Sequence, residues 1–383
     1  MSADALAMLR TKDAIELLTE LVRIPSTSGA EKQAADFLVS RLAAFGFPDV
    51  KRDGAGNVLV TMRGSAPGPA RAFFSHFDSA GVGNMSEPFE ARVLPGDAFA
   101  KPGPVLRGLG ASVPKSAVAA LVAAAVALRR AGEPRTGVIY LAIVTKDMHG
   151  NHAGPREITA SFPFDVEWMV ASEPSSNQIV LGARGINHYR LEFDGLASHN
   201  GRPREGANPL YAVAHLLDEL RTLELPVHPV LGPATVSPFE IGSEAAPPLS
   251  PHRAHLMLDR RTLPGESTAD VQRSVEALAD RAVSRNPGVS RSVRLMRAMH
   301  SLDTPPDAPI VERLQASVTQ RLGRALGTTY ITFSSNAAFG VIERGWEAVG
   351  FGPGSINDVG PNEHVSLHEV EEAARIYTAM MLA

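Results

Sequence analysis

The segment Phe73-Phe74-Ser75-His76-Phe77-Asp78-Ser79 sets an imidazole and a carboxylate two residues apart at the end of a β-rich run. In an extended chain both side chains leave the same face. A histidine bound to a metal commonly passes its other ring N–H to a carboxylate, which fixes the tautomer, so His76 and Asp78 suit a ligand and its orienting partner. The pair suits equally well a plain hydrogen bond that closes a strand. Further on, Lys115, His149, His152, Asn336 and Asp358 lie in segments expected to converge at strand ends, where α/β proteins place their sites. Of these, His149 carries an imidazole able to act as acid or base near neutral pH. Glu173 is the alternative base, because a carboxylate buried without a metal gains a raised pKa and can take a proton.

These residues need a scaffold, and the chain is long enough to build two. Its 383 residues exceed the size at which one hydrophobic core usually stops growing. Apolar residues at helical spacing predict helices over 13–22 and 31–45, the second closed by Gly46. Short β-rich runs at 57–62, 72–75 and 137–145 alternate with an alanine-rich helix over 117–130, which argues for an α/β sheet. From residue 186 the order becomes strand 188–193, helix 208–223, strand 254–259 and helix 267–285, a β-α-β-α unit inserted into the larger domain. The first domain resumes with an apolar strand at 346–351, a Gly-Pro-Gly turn and a terminal helix from His368. A net charge of −4 offers no basic face for a nucleic-acid backbone. The absence of cysteine removes disulfides and thiolate ligands, and the N-terminal segment lacks the order of a signal peptide, which predicts a cytoplasmic protein. The apolar run 117–128 is shorter than the roughly 20 residues of a membrane helix and is expected inside the core, with no membrane span.

Further segments follow His-x-Asp in order: GLGASVPKS at 108–116, TKDMHGN at 145–151, ASEPSS at 171–176, GLASHNGRPREGANPL at 195–210 and LDRRTLPGE at 258–266. Taken together, these resemble the M20 aminoacylase/carboxypeptidase family nearly end to end. Its members show H-x-D, G-x-G-x-x-D-x-K-G, D-E-E-x-G, E-P, a lid-domain G-x-x-x-H and H-x-x-N-E. The resemblance implies a mixed-sheet, zinc-exopeptidase-like catalytic domain over 1–183 and 296–383, with an inserted α+β, ferredoxin-like lid and dimerisation domain over 184–295. It also implies a homodimer formed through the lid, and a small substrate bearing a carboxylate.

Carried over position by position, the resemblance gives a mixed site. His76 falls on the first metal-binding histidine, Asp78 on its orienting partner and Glu173 on the carboxylate completing that metal site. His199 falls on the lid histidine that stabilises an oxyanion across the dimer, and Arg261 on the arginine that binds the substrate carboxylate, while Arg260 points the other way. Against this, the bridging aspartate falls on Val113, the general base on Met148, the second metal's carboxylate on His149 and the last metal-binding histidine on Val359. The usual asparagine of a substrate-binding segment falls on Pro248. Paired cations need a shared anionic ligand and a positioned base, so a dinuclear zinc centre is not expected. Either no metal binds, or a single zinc is held by His76, Glu173 and His149. Lys115, beside the missing aspartate, is a candidate cation filling vacant metal space, and Asn336 a candidate substrate contact. Three readings follow: an atypical enzyme acting on an amide or N-acyl amino acid, even by acyl transfer or cyclisation; a non-catalytic pseudohydrolase that binds a small molecule or partner; and an ordinary two-metal hydrolase whose ligands shift by a residue or two onto Asp147, Asp358 or His364.

Overall fold

A computed structural model describes residues 4–148 and 151–383. The chain divides into two compact units. One takes in the chain up to Gly182, then Asp303–Ile331 and Ser335–Ala383; the other is Ala183–Leu302 with Thr332–Ser334.

The first unit is built on a nine-stranded mixed sheet. Its centre is parallel: Thr136–Val144, Ala66–His76, Trp168–Ser172 and Glu347–Phe351 lie side by side in that order. Antiparallel strands flank them, with Val58–Arg63 on one side and Ile179–Ala183 on the other. The central strands are buried on both faces, so they read as apolar runs such as Ala72-Phe73-Phe74 and Trp168-Met169-Val170. The helix Ser116–Ala131 explains its own composition. It is buried over its whole length except Arg129 and Arg130 at the end, and it packs against Leu367–Met381 and Thr11–Arg23. Alanine lets these helices approach closely. The stretch 111–131 is long and apolar enough to cross a membrane by length and composition, yet nearly all of it is buried inside this unit.

The second unit is a four-stranded antiparallel sheet with two helices, Leu210–Arg221 and Thr268–Ser284. Its strands lie in the order Thr235–Glu244, Arg253–Thr262, Gly185–Asp194, Ser290–Met299. That is the β-α-β-β-α-β arrangement of a ferredoxin-like layer. Alternation places Tyr189, Leu191, Phe193, Ala254, Leu256 and Leu258 on the helix-covered face. The β-α-β-α reading therefore lacks two strands. Thr235–Glu244 is an edge strand, exposed along most of its length, interrupted by Pro238 and bulged beside it, so it carries no buried alternation to read. Ser290–Met299 alternates arginine and serine with aliphatics but is bulged after Leu295. It also runs past residue 295, so the sheet ends later than the limit read from the sequence.

Candidate functional site

The strands that carry the site residues end together. His76 is the last residue of Ala66–His76, Glu173 follows Trp168–Ser172, and Asp147 stands three residues beyond Thr136–Val144. All three strands are parallel, so these side chains emerge at one carboxyl edge, where open α/β sheets expose chemistry.

Asp78 organises the group. Its Oδ1 meets His76 Nδ1 at 3.0 Å and accepts the Asp147 N–H at 3.1 Å; its Oδ2 accepts the Met148 N–H at 2.8 Å and the Ser28 hydroxyl. Burial pushes this carboxyl up, but the bonds from His76, Ser28 and Met148 overcome it and leave its pKa lowered. One carboxylate thus fixes both the imidazole and the loop after Val144. Left-handed backbone at Lys146, φ 58°, turns that loop. His76 Nε2 then faces Asp147 Oδ2 at 3.6 Å. Burial alone would lower the ring's pKa, but the carboxylates of Asp147, Asp78 and Glu173 outweigh it and raise it to about 9.

Beyond Asp147 the polar contacts continue inward. Asn336 donates from Nδ2 to Asp147 Oδ1 at 2.6 Å, and its Oδ1 meets His152 Nδ1 at 3.1 Å. Because the asparagine nitrogen donates to Asp147, its oxygen accepts, so the proton on His152 sits on Nδ1. Glu173 is buried beside this chain. Burial raises its pKa to about 8, and Asp147 adds to that push against Ser335, His76 and the Asn336 N–H, which favour the charged form. Its place depends on two glycines. A Cβ on Gly350 would stand 2.7 Å from Glu173 Cγ, and one on Gly352 would stand 2.6 Å from the Glu173 carbonyl oxygen.

Of the residues singled out in the sequence, His76, Asp78, Glu173 and Asn336 therefore share one site, joined by His152. His149 lies outside the described residues. Lys115 is drawn elsewhere: its Nζ donates to the Ile24 carbonyl at 2.9 Å, and Glu363 is its nearby charge. Burial lowers its pKa to about 8. Asp358 pairs with Lys101 at 2.7 Å, with His364 at 3.6 Å, as a separate group. In the second unit, His199 is exposed, and its Nδ1 accepts the Gly201 N–H at 3.1 Å. The neutral ring then carries its proton on Nε2, a free donor. Arg261 forks onto Asp259, with contacts of 2.7 and 2.9 Å, while Arg260 is buried against Glu266. Ser335 was not singled out in the sequence, and Asp147 only as a ligand reached by a shift of a residue or two; the signal for Asp147 was its position just past a central strand.

Val113, Met148 and Val359 offer no oxygen or nitrogen donor, and Val113 is held through its own N–H by Glu363. His76, Asp147 and Glu173 are donors of the right chemical types for one ion. Among the described residues, however, no three His, Asp or Glu side chains are grouped closely enough to hold a metal.

Residues 181–287 match the M20 peptidase dimerisation domain. A succinyl-diaminopimelate desuccinylase from Dinoroseobacter shibae is 27% identical over 393 residues, spanning 96% of this chain and 98% of the relative. A tripeptidase from Staphylococcus aureus superposes with a TM-score of 0.79 at 18% identity, covering 98% of each chain. A dinuclear metal-binding peptidase of the M20 family from Bacillus subtilis does so at 0.71 and 14%, covering 97% of each. These similarities support an M20 metallopeptidase/aminoacylase relationship, and the fold is that of a catalytic-type α/β unit with an inserted lid.

Proposed function

We propose that this protein is an atypical M20 enzyme that acts on an amide, an N-acyl amino acid or a similar small carboxylate-bearing molecule in the cytoplasm without a dinuclear zinc centre. The observation that carries this reading is the group of buried His76 and Glu173 with partly buried Asp147 at the strand ends, tied through Asp78 and Asn336, in a chain that has Val113, Met148 and Val359 where the resemblance expects metal-site groups. A carboxylic acid with its pKa near 8 is protonated at neutral pH and can give that proton to a leaving nitrogen. In such a step a nucleophile bonds to the acyl carbon, the C–N bond breaks, and Glu173 recovers a proton from the nucleophile. Water gives hydrolysis; an amine gives acyl transfer or cyclisation. His199 Nε2–H is assigned as donor to the oxyanion and Arg261 as partner of the carboxylate. The first relative's printed activity, removal of a succinyl group from an amide nitrogen, belongs to the same substrate class.

Zinc titration by calorimetry, with metal analysis of the purified protein, tests the metal side of this reading. At most one equivalent per chain is expected. Two tight equivalents would restore the ordinary two-metal hydrolase, with Asp147 as a shifted ligand. A non-catalytic binder is the second reading, favoured by a thioether at the expected base position and by the filled fork of Arg261.

The enzyme is proposed to work as a homodimer through the second unit, which carries the dimerisation domain. Phe239 and Ile241 are more than half exposed on the edge strand Thr235–Glu244, a surface that favours pairing. Ile241→Lys is expected to convert a two-chain species to single chains in sedimentation; an unchanged sedimentation coefficient would remove this edge from the interface.

A further inference from the structure

Arg71 lies on the strand that ends in His76, five residues earlier, so about 16 Å of extended chain separates it from the candidate site. It is 4% exposed. Its Nε donates to the Met381 carbonyl at 3.0 Å, closing the C-terminal end of the helix Leu367–Met381. An arginine has five donors, and this one is committed by a single bond to a neutral oxygen. Among the described residues no carboxylate lies within ion-pair distance of its guanidinium. Burial lowers its pKa to about 10, against the pull of Glu133 and Glu167. A buried cation without a counter-ion is costly, and an anion arriving from solvent would offset that cost.

The surroundings are suited to such an anion. Arg71 lines a cavity of about 540 Å³ together with Arg135, Thr136, Arg321, Asp4 and Glu133. Both side-chain carboxylates there are already engaged, and the main-chain carboxylate of Ala383, which also lines the cavity, is beyond ion-pair distance of Arg71 and Arg321. Glu133 holds Arg135 through its Nε at 3.1 Å and its backbone N–H at 2.9 Å, and Asp4 accepts the Leu6 N–H at 3.1 Å. Arg321 donates its Nε only to the Ser317 hydroxyl, at 3.3 Å, and no carboxylate among the described residues pairs with it either. The cavity is within the size range of small-molecule sites.

We propose that this cavity is a second binding site, for a small dianion such as a phosphate ester or a dicarboxylate, held between the guanidiniums of Arg71 and Arg321. Planar guanidinium forks bind both oxyanion types bidentately. The site is independent of the chemistry at Glu173, and its test needs no turnover.

Calorimetric titration of the full chain with inorganic phosphate and with malonate, against chloride at matched ionic strength, tests it. Saturable binding of phosphate or malonate, absent with chloride, is expected. Stronger phosphate binding identifies a phosphate ester as the natural ligand class, and stronger malonate binding a dicarboxylate. Arg321→Gln, an exposed substitution that leaves the fold intact, is expected to weaken that affinity at least about tenfold, and Arg71→Gln to abolish it. Equal response to all three anions, or an affinity unchanged in Arg321→Gln, overturns the proposal even if Arg71→Gln fails to fold.

Discussion

Glu173→Gln should flatten the pH dependence of stability and remove turnover together. The wild-type carboxyl has an ordinary value of 4.5 and is raised to about 8 in the folded chain by burial. A group raised on folding contributes stability that is fully present below its unfolded value and is lost as pH rises through its folded value. The protein should therefore lose stability between about pH 4.5 and pH 8 on this account, by an amount on the order of 5 kcal/mol if the shift is realised in full. His76 acts in the same direction over a higher window, from 6.5 to about 9, because its imidazolium is favoured by Asp147, Asp78 and Glu173. Glutamine cannot ionise, so the variant should retain only the His76 portion of the slope. The same change deletes the proton donor, and loss of a positioned acid or base costs about a hundredfold to ten-thousandfold in rate. Urea unfolding across pH 5–9 and assays against a panel of N-acyl amino acids measure the two effects. A stability curve parallel to wild type, with turnover intact, would falsify the assignment of Glu173.

How much of this was legible beforehand depended on whether burial left a pattern. The helix 116–131 and the central strands are apolar because they are enclosed, and their types and approximate positions follow from composition alone. The same holds for 185–194 and 253–262, whose alternation is that of a sheet covered on one face. Thr235–Glu244 has no such signature, since an edge strand open to solvent does not need one. At the site, His76 and Asp78 were legible because two residues in extended chain share a face. Asp147 was legible only as a ligand reached by a shift of a residue or two, because spacing along the chain pointed first to Met148 and the residue after it. The left-handed turn at Lys146 and the bonds from Asp78 bring the preceding carboxylate to His76 instead. Where the Lys115 side chain ends was not legible either: proximity in sequence to the loop does not fix the end of a long side chain, and its Nζ donates to the Ile24 carbonyl.

The loop before the core helix supplies the largest stability effect. Glu363 is 2% exposed, and its carboxylate accepts three backbone N–H groups, from Gly110 at 3.0 Å, Ser112 at 3.0 Å and Val113 at 3.1 Å. Its own carbonyl accepts the Gly108 N–H at 3.0 Å, so the segment is tied to the 360s by side chain and main chain alike. Those donors lie on the buried approach to Ser116–Ala131, where water has poor access. Glu363→Ala strands all three, and each unsatisfied buried donor costs about 1–3 kcal/mol, so a loss of roughly 3–9 kcal/mol is expected. Lys115 loses its nearby carboxylate in the same step, leaving a buried ammonium with only the Ile24 carbonyl. Glu363→Gln keeps one acceptor oxygen and should cost less than half as much. Because two units need not unfold together, the decisive measurement is amide exchange at residues 108–116. Protection there should fall in Glu363→Ala while that of the strand Gly185–Asp194 stays at its wild-type level. If 108–116 exchange as slowly as in wild type, the loop is held by something other than this carboxylate.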